Sequence, residues 1–107
     1  MIDDEEIQRA LDYLRDSAVD AAQARANRVY MQEYSKSLKA LIMREHLDLP
    51  VSAQEREACA DHRYLTHLSA MQTAIKLDEQ HRFLRVAAEA KIEAWRSLSA
   101  NHRAMKI

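Results

Sequence analysis

The chain has 107 residues and a formal net charge of −1, with no glycine, one proline and one cysteine. This length suggests one domain with a modest core, and the charge excludes a global field that would attract nucleic acid or an anionic membrane. A lone cysteine excludes a disulfide framework, and no apolar run approaches a membrane span, so we expect a cytoplasmic protein.

The absence of glycine and the abundance of good helix formers predict an all-α fold. A β-sheet would need turn residues that this chain lacks. We expect a single domain over residues 1–107, built as a long antiparallel helical hairpin of the coiled-coil type with a short connector helix.

The first arm is expected over about residues 4–46. Asp3 and Asp4 are candidate N-caps, and acidic residues follow them in the first turn. The apolar stripe of this arm changes sides after about residue 29. Either the two halves of the arm face different neighbours, or the helix bends near Asn27.

The connector contains the only proline, Pro50, which disfavours helical geometry at the residue before it. Ser52 followed by Glu55 has the spacing of a capping box and predicts a short helix over about 52–60. Asp61 is expected to end that helix and to cap the next one.

The second arm, over about residues 62–104, is apolar on two sides. We expect one row to pack against the first arm, namely Leu65, Leu68, Ile75, Phe83 and Val86. A second row lies roughly 150° away and needs a further partner. The simplest partner is a second copy, in a homodimer or a higher even assembly that completes a helical bundle. The candidate interface residues are Leu77, Leu84, Ala88, Ile92, Trp95, Ile7, Leu11 and Leu14.

Four basic residues of the first arm, Arg25, Arg28, Lys36 and Lys39, fall within roughly 80° of the helix circumference. A clean basic stripe would suggest contacts with nucleic-acid phosphates. On the second arm, acidic residues are interleaved with the arginines and favour ion pairs instead.

No arrangement of residues in the sequence predicts a catalytic, metal-binding or cofactor-binding site. Asp78 and His81 share a helix face, but a bundle metal site needs further carboxylates and no Glu-x-x-His pair occurs. Cys59 lies three residues before His62, and we expect it to be a buried or half-buried structural cysteine. We therefore expect no enzyme, no metal, no cofactor and no small-molecule substrate.

Three stretches, residues 20–46, 51–68 and 87–106, resemble small helical proteins encoded by tailed bacteriophages and prophages, often among genes for DNA metabolism. One departure is His62, where the pattern would have proline at the start of the second arm. The resemblance implies a bacterial host cytoplasm and carries no catalytic motif.

Three functions are compatible with these features. The first is a non-enzymatic helical interaction protein that self-associates and binds another phage or host protein. The second is an accessory nucleic-acid-binding protein in phage recombination or replication, and the third is a virion assembly or adaptor component. The doubled apolar face favours the first.

Overall fold

The computed structural model of the chain describes residues 2–105, and within that range it is an all-α helical hairpin with a connector helix, as the sequence predicts. The α-helices are α1 (Asp4–Asp16), α2 (Ala18–Met43), α3 (Val51–Ala60) and α4 (His62–Met105). A 3₁₀ turn, Arg44–His46, follows α2. The chain divides into two compact units: unit 1 consists of Met1–Ala22 and Glu79–Ile107, and unit 2 of Gln23–Asp78.

The N-terminal end of the first arm is fixed by Asp3. Its carboxylate Oδ1 accepts a hydrogen bond from the backbone N–H of Glu6 at 2.7 Å. This bond satisfies one of the backbone donors that a helix start leaves free, and the acidic residues of the first turn complement the helix dipole.

The first arm is interrupted at Ser17, which separates α1 from α2, whereas α2 runs without a break through Asn27. The hydroxyl of Ser17 donates to the carbonyl of Tyr13 at 2.6 Å, and the backbone N–H of Ser17 donates to the same oxygen at 2.9 Å. A serine hydroxyl that bonds back to a carbonyl four residues earlier commonly bends a helix. The alternative of a bend near Asn27 is therefore wrong, because α2 is continuous there and the interruption lies at Ser17.

The connector helix begins one residue before the expected capping box. The N-cap position of α3 is Pro50, which makes no side-chain cap, so the predicted Ser52–Glu55 capping box is wrong. The amide of Gln54 instead donates to the carbonyl of Leu49 at 2.9 Å. Asp61 ends α3 with an extended backbone, and its carboxylate accepts from the N–H of Arg63 at 2.8 Å, as expected of a cap.

In unit 2, one row of buried and half-buried residues of α4 follows alternating steps of three and four, namely Tyr64, His67, Met71, Ala74 and Asp78. Leu68 and Ile75, beside this row, are also half-buried. In unit 1, α4 continues with the same spacing through His81, Arg85, Ala88, Ile92 and Trp95. This is the heptad spacing of a coiled-coil seam, and α2 meets the seam of unit 2 with Arg28, Met31, Ser35, Leu38 and Ile42.

The expected packing face of the second arm is wrong for three of its members. Leu65, Phe83 and Val86 are 50%, 61% and 50% exposed, respectively. Several seam positions are occupied by polar residues. Three of these polar residues contact a partner in the first arm, as described below.

Candidate interaction surfaces

The seam of unit 2 contains an ion pair between the two arms. Nη1 of Arg28 lies 3.1 Å from Oδ2 of Asp78, and the two side chains are 28% and 13% exposed, respectively. A charged pair at this degree of burial keeps its hydrogen bond because leaving either group unpaired would cost free energy.

A second polar contact of unit 2 joins Ser35 and His67. The hydroxyl oxygen of Ser35 lies 2.7 Å from Nε2 of His67, and the carbonyl oxygen of Met31 lies 2.9 Å from the same nitrogen. The ring of Tyr34 packs edge-on against the His67 ring at a centroid distance of 5.4 Å. This serine–histidine contact lies in the half-buried seam of unit 2 and joins α2 to α4 there.

Unit 1 contains a comparable contact at Arg85. Its Nη1 donates to the carbonyl of Leu14 at 3.0 Å and to the hydroxyl oxygen of Ser17 at 2.9 Å. Carbonyls near the end of a helix lack intrahelical partners and favour a cation. Arg85 therefore caps the last turn of α1 from the second arm, at the residue where the first arm is interrupted.

The four basic residues of the first arm do not form an unpaired stripe. Arg28 is bonded to Asp78, and Lys36 lies 3.3 Å from a carboxylate oxygen of Glu33. Arg25 is exposed and Lys39 is half-buried. On the second arm, Arg82 and Arg96 pair with Glu79 and Glu93 at 2.6 and 3.4 Å.

The eight candidate interface residues differ in exposure. Ile7 is buried, whereas Leu14, Ala88, Ile92 and Trp95 are half-buried. The other three, Leu11, Leu77 and Leu84, are exposed. The indole N–H of Trp95 donates to the carboxylate of Asp4 at 3.2 Å, which gives this side chain a partner within unit 1.

The sequence singled out Asp78 and His81 as a possible metal pair and Cys59 as a structural cysteine. No group of three or more His, Cys, Asp or Glu side chains within residues 2–105 could hold a metal ion. Asp78 is occupied by Arg28, and Nδ1 of His81 is buried without a hydrogen-bond partner in the described part of the chain. Cys59 is exposed, so the expectation that it is buried is wrong.

The start of α4 is surrounded by ion pairs. Arg63 lies 3.0 Å from Oδ1 of Asp61 and 2.9 Å from Oε2 of Glu45. Hydrogen bonds from the Arg63 side chain, and then from its backbone N–H, lower the pKa of Asp61 to about 2. The side-chain bond from Arg63 also lowers the pKa of Glu45, and its two carboxylate partners raise the pKa of Arg63.

Unit 2 presents a groove between α2 and α4. It is lined by Asn27, Tyr30 and Met31 of α2 and by Ala70, Thr73, Ala74 and Leu77 of α4. The exposed residues of the groove continue along both helices at steps of three and four. We call these residues the uncharged face: Asn27, Tyr30, Tyr34, Ser37 and Leu41 of α2, and Thr66, Ala70, Thr73 and Leu77 of α4.

A groove of unit 1 has a different character. It brings Leu84 and Ala88 together with Tyr13, but Glu6 and Lys91 also line it. Apolar periodicity does not predict the uncharged face, because Asn27, Ser37, Thr66 and Thr73 are polar. A search for helix stripes without charge would have found it.

Comparison with protein-family models, with curated proteins and with solved structures gives no match. Every helix within residues 2–105 is too short or too polar to cross a lipid bilayer.

Proposed function

We propose that this protein is a non-enzymatic helical interaction protein that self-associates and that binds another protein of a phage or its bacterial host. The bacteriophage setting and the cytoplasmic location rest on the sequence resemblance and on the cysteine usage. The proposal of self-association rests on the exposure of the large apolar side chains.

The observation that carries the proposal is the small core of the chain. The buried hydrophobic residues within the described range are Ile7, Ile42 and three alanines, Ala10, Ala24 and Ala58. Among residues 2–105, fifteen large hydrophobic residues are exposed, including Val19, Tyr30, Phe83 and Leu84. Single exposed apolar residues are ordinary on a protein surface. This number of exposed apolar residues, together with so small a core, favours their burial in a further interface.

Light scattering coupled to size-exclusion chromatography at low micromolar concentration tests self-association. We expect the mass of a dimer or of a higher even assembly, because burial of each large apolar side chain contributes about 1.5–3 kcal/mol. A monodisperse monomer that is fully helical and unfolds cooperatively would contradict the proposal.

The second protein is sought by a pull-down from phage-infected bacteria, performed with and without nuclease. A partner retained after nuclease treatment supports an interaction protein. Loss of every partner on nuclease treatment would instead support the nucleic-acid-binding alternative, which would act through residues such as Arg25 and Lys39.

A further inference from the structure

α1 is a short helix of unit 1 that is set apart from the rest of the first arm. Ser17 separates it from α2 and has the backbone angles φ −91° and ψ −2°. α1 has 13 residues, and an isolated helix shorter than about 12–15 residues is only marginally stable in water. Its helical state therefore depends on the contacts that it makes with α4.

Few apolar side chains hold α1 in place. Ile7 and Ala10 are its buried residues, and over residues 79–105 α4 contributes half-buried residues but no buried one. Unit 2, by contrast, contains Ile42 and Ala58, which are both 0% exposed. A segment with little buried apolar contact opens at a lower free energy than the whole protein unfolds. We therefore expect α1 to leave α4 more readily than unit 2 opens.

Polar contacts join α1 to α4 at both of its ends. Near its start, the carboxylate of Asp4 accepts a hydrogen bond from the indole N–H of Trp95 at 3.2 Å. Near its end, Nη1 of Arg85 donates to the carbonyl of Leu14 at 3.0 Å and to the hydroxyl of Ser17 at 2.9 Å. Both donors belong to α4. These bonds break when α1 leaves, and water takes their place at a modest net cost.

We infer that α1 undocks from α4 and docks again as one unit while unit 2 stays folded. Ser17 is the hinge, because hinges are residues at the ends of elements that absorb a change in φ and ψ. Arg85 is a positioning residue that favours the docked state, since its guanidinium bonds both the last turn of α1 and the hinge. Undocking exposes the row of α4 that includes Arg85 and Trp95. The inference is independent of self-association, because every contact lies within one chain.

Hydrogen exchange of the wild-type protein, at a fixed protein concentration and in a series of low urea concentrations, tests the separate opening. We expect the amides of α1 to exchange through an opening that depends weakly on urea, because it exposes little surface. Amides beside Ile42 should exchange only through a larger opening with a steep urea dependence. Equal protection and equal urea dependence at the two places would mean a single cooperative unit and would overturn the inference.

Arg85→Gln tests the positioning role of Arg85. R85Q should raise the exchange rates of the α1 amides by about 10-fold or more, because loss of a charged hydrogen-bond donor favours the undocked state. The amides beside Ile42 should be unaffected. Arg82→Gln is the matched control, since Arg82 is exposed on the same helix and pairs with Glu79 of that helix at 2.6 Å. Equal α1 exchange in the two variants would overturn the inference, as would an R85Q effect of the same size at Ile42.

A change at the other end of α1 tests whether the helix moves as one unit. Asp4→Ala removes the partner of Trp95, whereas Glu5→Ala removes a first-turn carboxylate whose partner at 3.9 Å is Arg9 of α1 itself. D4A should raise amide exchange along the whole of α1, including the amides near Leu14, and should do so by more than E5A. An effect of D4A that is confined to the first turn, or that E5A equals, would indicate fraying of the helix end and would overturn the undocking of α1 as a unit.

Discussion

Nη1 of Arg28 and Oδ2 of Asp78 lie 3.1 Å apart, although the two residues are separated by 50 positions in the sequence. The pair occupies seam positions of unit 2 at which an ordinary coiled coil has apolar side chains. The two arms of unit 2 are thus held by charge as well as by apolar packing.

Loss of this pair is expected to destabilise unit 2. Asp78→Ala should lower the free energy of unfolding by about 1–3 kcal/mol, because the half-buried Arg28 guanidinium loses a carboxylate acceptor. Urea denaturation at a fixed protein concentration measures the change. Glu33→Ala is the control, since it removes the exposed Lys36–Glu33 pair and should cost less than about 1 kcal/mol. Equal costs for the two variants would contradict this ranking.

Ile42 is the largest fully buried side chain in the described part of the chain, so it is expected to contribute most to the apolar core of unit 2. Ile42→Ala should lower the unfolding free energy by about 2–5 kcal/mol through lost burial and the cavity left behind. Val29→Ala on the same helix is the comparison, because Val29 is 50% exposed. Thermal or urea unfolding that responds equally to both changes would show that Ile42 is less enclosed than described.

Asp61 is expected to titrate abnormally. Its pKa is lowered from the ordinary 3.8 to about 2 by hydrogen bonds from Arg63. A carboxylate with a depressed folded pKa stabilises the fold fully above its unfolded pKa, and this contribution is lost as the pH falls from about 4 towards 2. Carbon-13 NMR of the Asp61 carboxyl should show the low midpoint. Arg63→Gln should return the midpoint towards 3.8, and an unchanged midpoint would mean that Arg63 is not the cause.

Cys59 is exposed near the end of α3, so a thiol reagent should reach it in the native protein. We expect one equivalent of Ellman's reagent to react without denaturant and at a rate close to that in denaturant. Cys59→Ser provides the blank. A thiol that reacts only after unfolding would place Cys59 in a buried environment, such as an interface between copies.

Local features of the sequence were sufficient to predict two helical arms and a connector helix, but not the division of the first arm into α1 and α2. The caps at Asp3 and Asp61 depend on residues two or three positions away, and the connector follows from Pro50. The absence of glycine left few alternatives to helix. These features act within one turn of the chain, so they can be recognised without knowledge of the tertiary contacts.

The interruption at Ser17 and the seam of α4 could not be predicted in this way. Arg85 reaches the Leu14 carbonyl from 71 positions along the chain, and no local pattern indicates that contact. Periodicity counted over apolar residues alone passes over Asp78 and Arg85, because both are charged. Each becomes compatible with the seam only through its partner across the hairpin.

The polar contacts of the seam have a consequence for how the arms align during folding. Apolar side chains at heptad positions pack almost as well after a slip of seven residues, because the pattern repeats. The Arg28–Asp78 pair does not repeat, since one heptad earlier on α4 stands Met71, which offers no carboxylate. A hairpin that closed seven residues out of register would place Arg28 opposite the thioether of Met71 or, after a slip in the other direction, opposite the cation of Arg85. The carboxylate of Asp78 thus lowers the apolar burial of the seam, but it restricts the two arms to a single alignment.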